Sequence, residues 1–194
     1  EALDRLVGSG KVRYLGTPND SAYGLTKANT VADYEGWSRF QSIQNNFSLL
    51  NRRFMDELAN VCRQEQVSLL PYSPLGGGVL SGKYNLGEVP LNSRFADYRQ
   101  SGETRQRAMA DRFLNEGTLA STARYLDIAR AAGLTPVTLA TAWSMQHEFV
   151  ASTIIGARTA EQLEDSLAAL DVTLDDEVLR QCDAVHTQIL YPMG

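Results

Sequence analysis

The chain has 194 residues, 43% of them hydrophobic and 21% charged, enough for one soluble globular domain with a proper core or for part of a larger one. A net charge of −5 argues against a nucleic-acid surface as the main partner, and no apolar run approaches the ~20 residues needed to cross a bilayer. Cys62 and Cys182, and His147 and His186, make neither a disulfide framework nor a metal-ligand pattern, so a reducing cytoplasm is the expected setting.

Glu1 to Val7 reads as the last turns of a helix ended by Gly8 and Gly10, so a segment is expected upstream. Lys11 to Gly16 predicts a strand and Thr17 to Asp20 the loop at its carboxyl end. Ser21 to Tyr34 reads as helix. Phe40 to Asn46 predicts a second strand, more polar at its end than a structural strand needs. Arg52 to Gln66 follows as a helix with Phe54, Leu58, Val61 and Cys62 on one stripe.

Val67 to Leu70 is a short apolar run of the kind buried on both faces of a sheet. It breaks into Pro71, Pro74 and three glycines, Gly76 to Gly78, ahead of Lys83. Glycines let backbone approach a ligand closely and the lysine supplies charge, a cradle suited to a phosphorylated ligand. Tyr72 offers a flat ring at its mouth. A buried strand followed by a tight surface turn fits the same run equally well.

Asn85 to Gly102 is irregular, and its length suggests a functional loop. Leu119 to Ala132 is an amphipathic helix ended by Gly133. Thr135-Pro136 opens another, to about Gln146. Phe149 to Ile155 predicts a fourth strand, Thr159-Ala-Glu-Gln162 a capping box for a helix through Leu170, and Thr173 the start of a last helix to about His186. Strands alternating with helices give an α/β fold. A four-stranded doubly wound domain and half of a (β/α)8 barrel both fit, and either places its ligand site at the carboxyl ends of the strands. No G-x-G-x-x-G opens a helix, which weighs against the first.

Four blocks then stand in order: Val12-Arg-Tyr-Leu-Gly-Thr-Pro-Asn19, Ile43-Gln-Asn-Asn-Phe-Ser-Leu-Leu-Asn-Arg52, Pro71-Tyr-Ser-Pro-Leu75 with Ser81-Gly-Lys-Tyr84, and Thr153-Ile-Ile-Gly-Ala-Arg-Thr-Ala-Glu-Gln-Leu163. Together they resemble the carboxyl-terminal half of the aldo-keto reductases, closest to the bacterial Tas-type branch, which is related to the potassium-channel β subunits. The resemblance spans essentially the whole chain. It implies half of a (β/α)8 TIM barrel, about strands five to eight with their helices, as a single partial domain. It also implies an NADPH-dependent oxidoreductase that reduces aldehydes or ketones, with a small-molecule carbonyl substrate and neither nucleic acid nor membrane as partner.

Carried over by position, the resemblance implies that Tyr72 stacks on the nicotinamide. Gln44, with Asn19 nearby, binds its carboxamide. Ser73, Pro74, Leu75 and Gly76 line the pyrophosphate path, and Lys83 and Arg94 meet the phosphates. Gly156 and Arg158 lie beside the 2′-phosphate, and Gln162, Asp165 and Ser166 along the adenosine. Independently of the family, a helix starting at Gly156 to Thr159 would offer amides and a positive dipole end to an anion. Two departures stand out. Pro18 occupies a common serine position and brings no hydroxyl, and Asp165-Ser166 replaces a usual Glu-Asn pair with shorter side chains.

The family's catalytic Asp-Tyr-Lys-His set belongs to strands two to four, so no catalytic residue is expected in this chain, and alone it is expected to be inactive. Tyr72 matches the stacking position, His147 and His186 fall in helical stretches, and Tyr14 is expected to point into the core or the surrounding helices. A cofactor-binding regulatory subunit of the channel β-subunit type is the alternative from another class, and an unrelated phosphate-binding barrel enzyme a third.

Overall fold

Capping side chains mark five of the nine α-helix starts among the described residues. The computed structural model describes residues 1–193. Helix α1 (Ala2–Gly8) precedes strand β1 (Leu15–Pro18). Helix α2 (Ala22–Glu35) starts at Ser21, whose Oγ accepts from the Gly24 amide, and ends at Gly36 with φ 70°. Strand β2 (Phe40–Asn46) leads through a 3-10 turn, Arg53–Met55, into α3 (Leu58–Glu65) and then β3 (Ser68–Tyr72). A Gly-rich 3-10 stretch, Gly76–Ser81, is followed by α4 (Arg94–Gln100), α5 (Thr104–Phe113), α6 (Glu116–Ala131), α7 (Pro136–Met145), α8 (Glu161–Ala168) and α9 (Asp176–Gln188). Thr135 caps α7 as its sequence predicts, its hydroxyl accepting from the Thr138 amide at 3.1 Å with Pro136 in the first turn.

The strands form one parallel sheet in the order β1-β2-β3. Pro18 lies opposite Gln44, Gln44 opposite Leu70, and Asn46 opposite Tyr72. Strand side chains alternate between faces. Ile43 and Leu69 are buried in a core that includes Phe47, Leu50 and Trp143, Leu15 is buried at the start of β1, and Gln44 on the opposite face is exposed. Since the strands run the same way, their carboxyl ends collect along one edge.

Several expectations need correction. Phe149 to Ile155 is not a full strand: it touches β3 only at isolated parallel bridges, Leu69 to Val150 and Tyr72 to Ile154. Three steps along β3 therefore face four along the partner, and that extra residue interrupts the ladder as a bulge does. The Asn85 to Gly102 stretch is not wholly irregular, because Ser93 caps α4 by accepting from the Ala96 amide. Helix α5, between Thr104 and Phe113, is not predicted from the sequence. The helix expected over Arg52 to Gln66 is broken between Met55 and Leu58. Tyr14 is 77% exposed just before β1, away from the core.

Arg52 ties the end of β2 to α9. Its buried guanidinium donates to Asp183 Oδ1 at 2.5 Å and to the Cys182 carbonyl at 2.9 Å, and lies 4.4 Å from the Trp143 ring centroid. Beside it, His147 stacks on Phe149 and meets Phe47 and Trp143 edge-on. Burial, reinforced by the Arg52 charge, pushes the His147 pKa down from 6.5 to about 4. The unfolded chain therefore takes up this proton below pH 6.5 while the folded chain resists it until about pH 4. This contribution is whole above pH 6.5 and is lost as the pH falls through that window. Urea unfolding of the parent should lose about 2 kcal/mol more between pH 7 and pH 5 than that of His147→Phe. Equal losses in the two proteins would show that His147 does not carry this acid sensitivity.

Candidate functional site

The carboxyl edge of the sheet brings three of the sequence-predicted residues together. Asn19 follows β1 in the left-handed region at φ 51°, a conformation asparagine tolerates better than most residues. Its amide donates to the Gln44 carbonyl at 2.8 Å, and its Oδ1 accepts from the Tyr72 hydroxyl at 2.8 Å. Asn19, Gln44 and Tyr72 thus stand side by side on adjacent strands, with the Tyr72 ring half-buried and Gln44 exposed. The Ile154 amide donates to the Pro71 carbonyl at 2.8 Å, which brings the segment leading to Gly156 beside Tyr72.

Sequence reasoning missed two neighbours, Asn45 and Asn46, whose Oδ1 atoms are buried without a protein donor. A buried acceptor without a partner is uncommon. The available signal is the polar end of β2, Gln44-Asn-Asn46.

After Tyr72 the chain turns sharply. Ser73 (φ 56°), Gly76 (54°), Gly77 (67°), Gly78 (94°) and Gly82 (82°) all have positive φ. Leu75, at φ −92° and ψ 10°, precedes left-handed Gly76. Such a right-handed to left-handed succession can turn neighbouring amides toward one side, although here the Gly76 amide already donates to the Ser73 carbonyl at 2.8 Å and the Gly78 amide to the Leu75 carbonyl at 2.9 Å. Pro74 and Gly76 are buried, while Ser73 and Leu75 are half-buried. The Lys83 ammonium lies over the loop: a methyl group on Gly78 would stand 3.3 Å from its Nζ. A strand end, a glycine turn and a lysine therefore meet as the sequence predicts.

The Arg158 region differs from expectation in detail. Helix α8 begins at Glu161 with Ala160 as N-cap, so Gly156 to Thr159 precede it as an irregular segment. Gln162 turns back to accept from the Arg158 amide at 3.0 Å, leaving that N–H already partnered. The Thr159 hydroxyl bonds the Glu161 carboxylate and, with the Glu161 backbone amide as the larger influence, lowers its pKa. The Arg158 guanidinium is exposed and donates through Nη1 to the Asn92 carbonyl at 3.2 Å, two residues before Arg94 at the start of α4.

Asp165 is half-buried, and its backbone carbonyl accepts from Thr138 Oγ1 at 2.9 Å. Ser166 is 6% exposed and lines a cavity with Thr141, Ile155 and Leu170. It is therefore not on the same exposed surface as Arg158 and Gln162. Among the described residues no group of three or more His, Cys, Asp or Glu is placed to hold a metal ion.

The aldo/keto reductase family model matches residues 1–187. The chain belongs to this family. It is 40% identical to Protein tas of Escherichia coli, the alignment covering 99% of the chain and 53% of that protein. It is 31% identical to a putative aryl-alcohol dehydrogenase of Schizosaccharomyces pombe, over 97% of the chain and 50% of the relative. Versiconal hemiacetal acetate reductase of Aspergillus parasiticus is 28% identical over 92% of the chain and 50% of its own length. The chain thus spans about half the length of the curated relatives it matches.

In this aldo/keto reductase chain the glycine turn has little room to change. A methyl group on Gly77 would lie 2.8 Å from Phe95 Cζ, whereas one on Gly87, also at positive φ, meets nothing within 4 Å. Both substitutions strain the backbone, but only the first also overpacks. Gly77→Ala should destabilise the protein by about 1–3 kcal/mol more than Gly87→Ala in chemical unfolding. Equal effects would mean that Phe95 yields freely and that the turn is not fixed by its packing.

Proposed function

We propose that this chain forms the cofactor-binding staves of a (β/α)8 aldo-keto reductase, about strands five to eight, and that it takes NADPH for the reduction of aldehydes or ketones. The observation that carries this reading is the convergence at one sheet edge of the Tyr72 ring, the Gln44 amide and Asn19, followed by a glycine turn with Lys83 over it. A planar heterocycle on the tyrosine and a diphosphate on the turn fit that arrangement in chemistry and in order.

Bound there, the nicotinamide supplies the hydride. The protein's share is orientation and charge. Tyr72 presents its ring for stacking and is held by the hydrogen bond to Asn19. Gln44 offers an amide to the carboxamide group. The turn from Ser73 to Gly76 receives the pyrophosphate, with Lys83 and Arg94 contributing positive charge. Gly156 lets backbone approach the adenosine end, where Arg158 pairs with the 2′-phosphate. Gln162 braces the Arg158 amide, and Asp165 and Ser166 complete the α8 side, with the buried Ser166 acting through packing.

The proton donor to the carbonyl oxygen is assigned to none of these residues, so the 194-residue chain should consume no NADPH above background with simple aldehydes. A reductase is favoured over a channel-type regulatory subunit because the similar proteins include a dehydrogenase and a reductase by name. Cys62 and Cys182 are buried free thiols, which suits a reducing cytoplasm. No helix among the described residues is long and apolar enough to cross a membrane.

A guanidinium can hold a phosphate dianion through paired charge-assisted bonds. Arg158→Ala should therefore weaken NADPH binding by about 10- to 150-fold in fluorescence titration and leave NADH nearly unchanged. Equal loss for both cofactors would overturn the assignment. For the ring, Tyr72→Phe keeps the stacking face and gives up only the Asn19 hydrogen bond, so affinity should fall by less than about tenfold. Tyr72→Ala should weaken binding further. If Phe were as damaging as Ala, the hydroxyl and not the ring would be the working part.

A further inference from the structure

The segment after α9 is tied to two distant stretches of the chain, Arg53 to Asp56 and Arg112 to Thr118. Tyr191, at φ 47°, donates its hydroxyl to the Asp56 carboxylate at 2.7 and 2.9 Å, and its ring lies 4.6 Å from the Arg53 guanidinium carbon. The Pro192 carbonyl accepts from Asn115 Nδ2 at 2.7 Å and Thr118 Oγ1 at 3.0 Å, at the start of α6. The Met193 carbonyl accepts from Arg112 Nε at 2.6 Å. The Met193 side chain is 1% exposed, with Sδ 3.9 Å from the point where a Gly76 side chain would begin. Leu50 Cδ1 closes the same point at 3.0 Å. The underside of the glycine turn therefore rests on Met193 and Leu50.

We infer that Tyr191 to Met193 is a strap that holds the Gly-rich turn in its left-handed form, with Met193 as a positioning residue beneath Gly76. The turn's glycines are intrinsically mobile, and a ligand that needs their amides aimed one way gains from having that ordering done in advance. Hydrogen bonds from Asn115, Thr118 and Arg112 fix the strap's backbone, Asp56 holds the Tyr191 hydroxyl, and Met193 carries the constraint to the turn. Met193 touches no ligand in this scheme. The functional consequence rests on reading the turn as the phosphate cradle.

Amide hydrogen exchange of the 194-residue chain without cofactor tests the strap directly, and NADPH titration of the same variants tests its consequence. Met193→Ala should accelerate exchange of amides 75–82 by tenfold or more while amides of α7 stay protected, and Met193→Leu should restore most of the protection. Tyr191→Phe, which keeps the core intact and removes only the bond to Asp56, should give a smaller acceleration in the same amides. With the turn loosened, Met193→Ala should also weaken NADPH binding severalfold. Unchanged exchange at 75–82, or an increase spread evenly over the chain, would overturn the strap. Faster exchange at 75–82 with unchanged NADPH affinity would sustain the strap and overturn the assignment of the turn to the phosphates.

Discussion

Parallel pairing is the constraint on which the rest of the site depends. Because β1, β2 and β3 run in one direction with Pro18 opposite Gln44 and Asn46 opposite Tyr72, their last residues are delivered to a single edge. The pairing continues past the strands through backbone bonds from Asn19 to Gln44 and from Phe47 to Tyr72. Side chains that are 25 or more residues apart in sequence thereby become neighbours without any contact needing to be strong on its own. A one-residue slip of β2 would bury Gln44 and expose Ile43, so burial of the opposite face enforces the register that assembles the site.

Below that edge, the packing that holds the sheet also reaches the ligand loop. Leu50, three residues after Phe47, lies in the same core and presses on Gly76 from beneath. Two residues further on, Arg52 fastens the same connection to α9 through Asp183 and the Cys182 carbonyl. A buried guanidinium left without partners is costly, and this one is spared by a carboxylate, a carbonyl and the Trp143 face. The Ser-Leu-Leu-Asn-Arg run is thus a structural anchor that positions the turn from one side, while the segment after α9 meets it from the other.

Much of this was legible in the sequence, and for local reasons. Thr135-Pro136 announces a helix start because the hydroxyl cap and the fixed proline φ act within one turn, and Gly133, at φ 67°, follows the end of α6 by the same kind of local chemistry. The strand, glycine turn and lysine of the Gly-rich loop follow from residue type alone. What escaped depends on distant partners. The interruption at Ala151 to Thr153 is a mismatch between two segments about 80 residues apart, and nothing within Phe149 to Ile155 reports it. Gln162 reads in sequence as part of a capping box, yet it caps one residue earlier, at Arg158, and the helix starts later than the Thr159 signal implies. The Asn92 carbonyl that holds Arg158 belongs to the backbone, which carries no sequence signature. The exposure of Tyr14 likewise reflects its place outside β1, where no neighbouring element covers it.

The most direct test of the account is whether a nicotinamide ring lies against Tyr72. Intermolecular nuclear Overhauser effects between the Tyr72 ring protons and the nicotinamide protons, recorded on the chain with bound NADP⁺, report that contact without requiring turnover. The account predicts clear cross-peaks to Tyr72, with adenine protons reaching only the Arg158 and α8 side. Bound cofactor whose nicotinamide protons show no contact with Tyr72, or whose adenine stacks there instead, would contradict it.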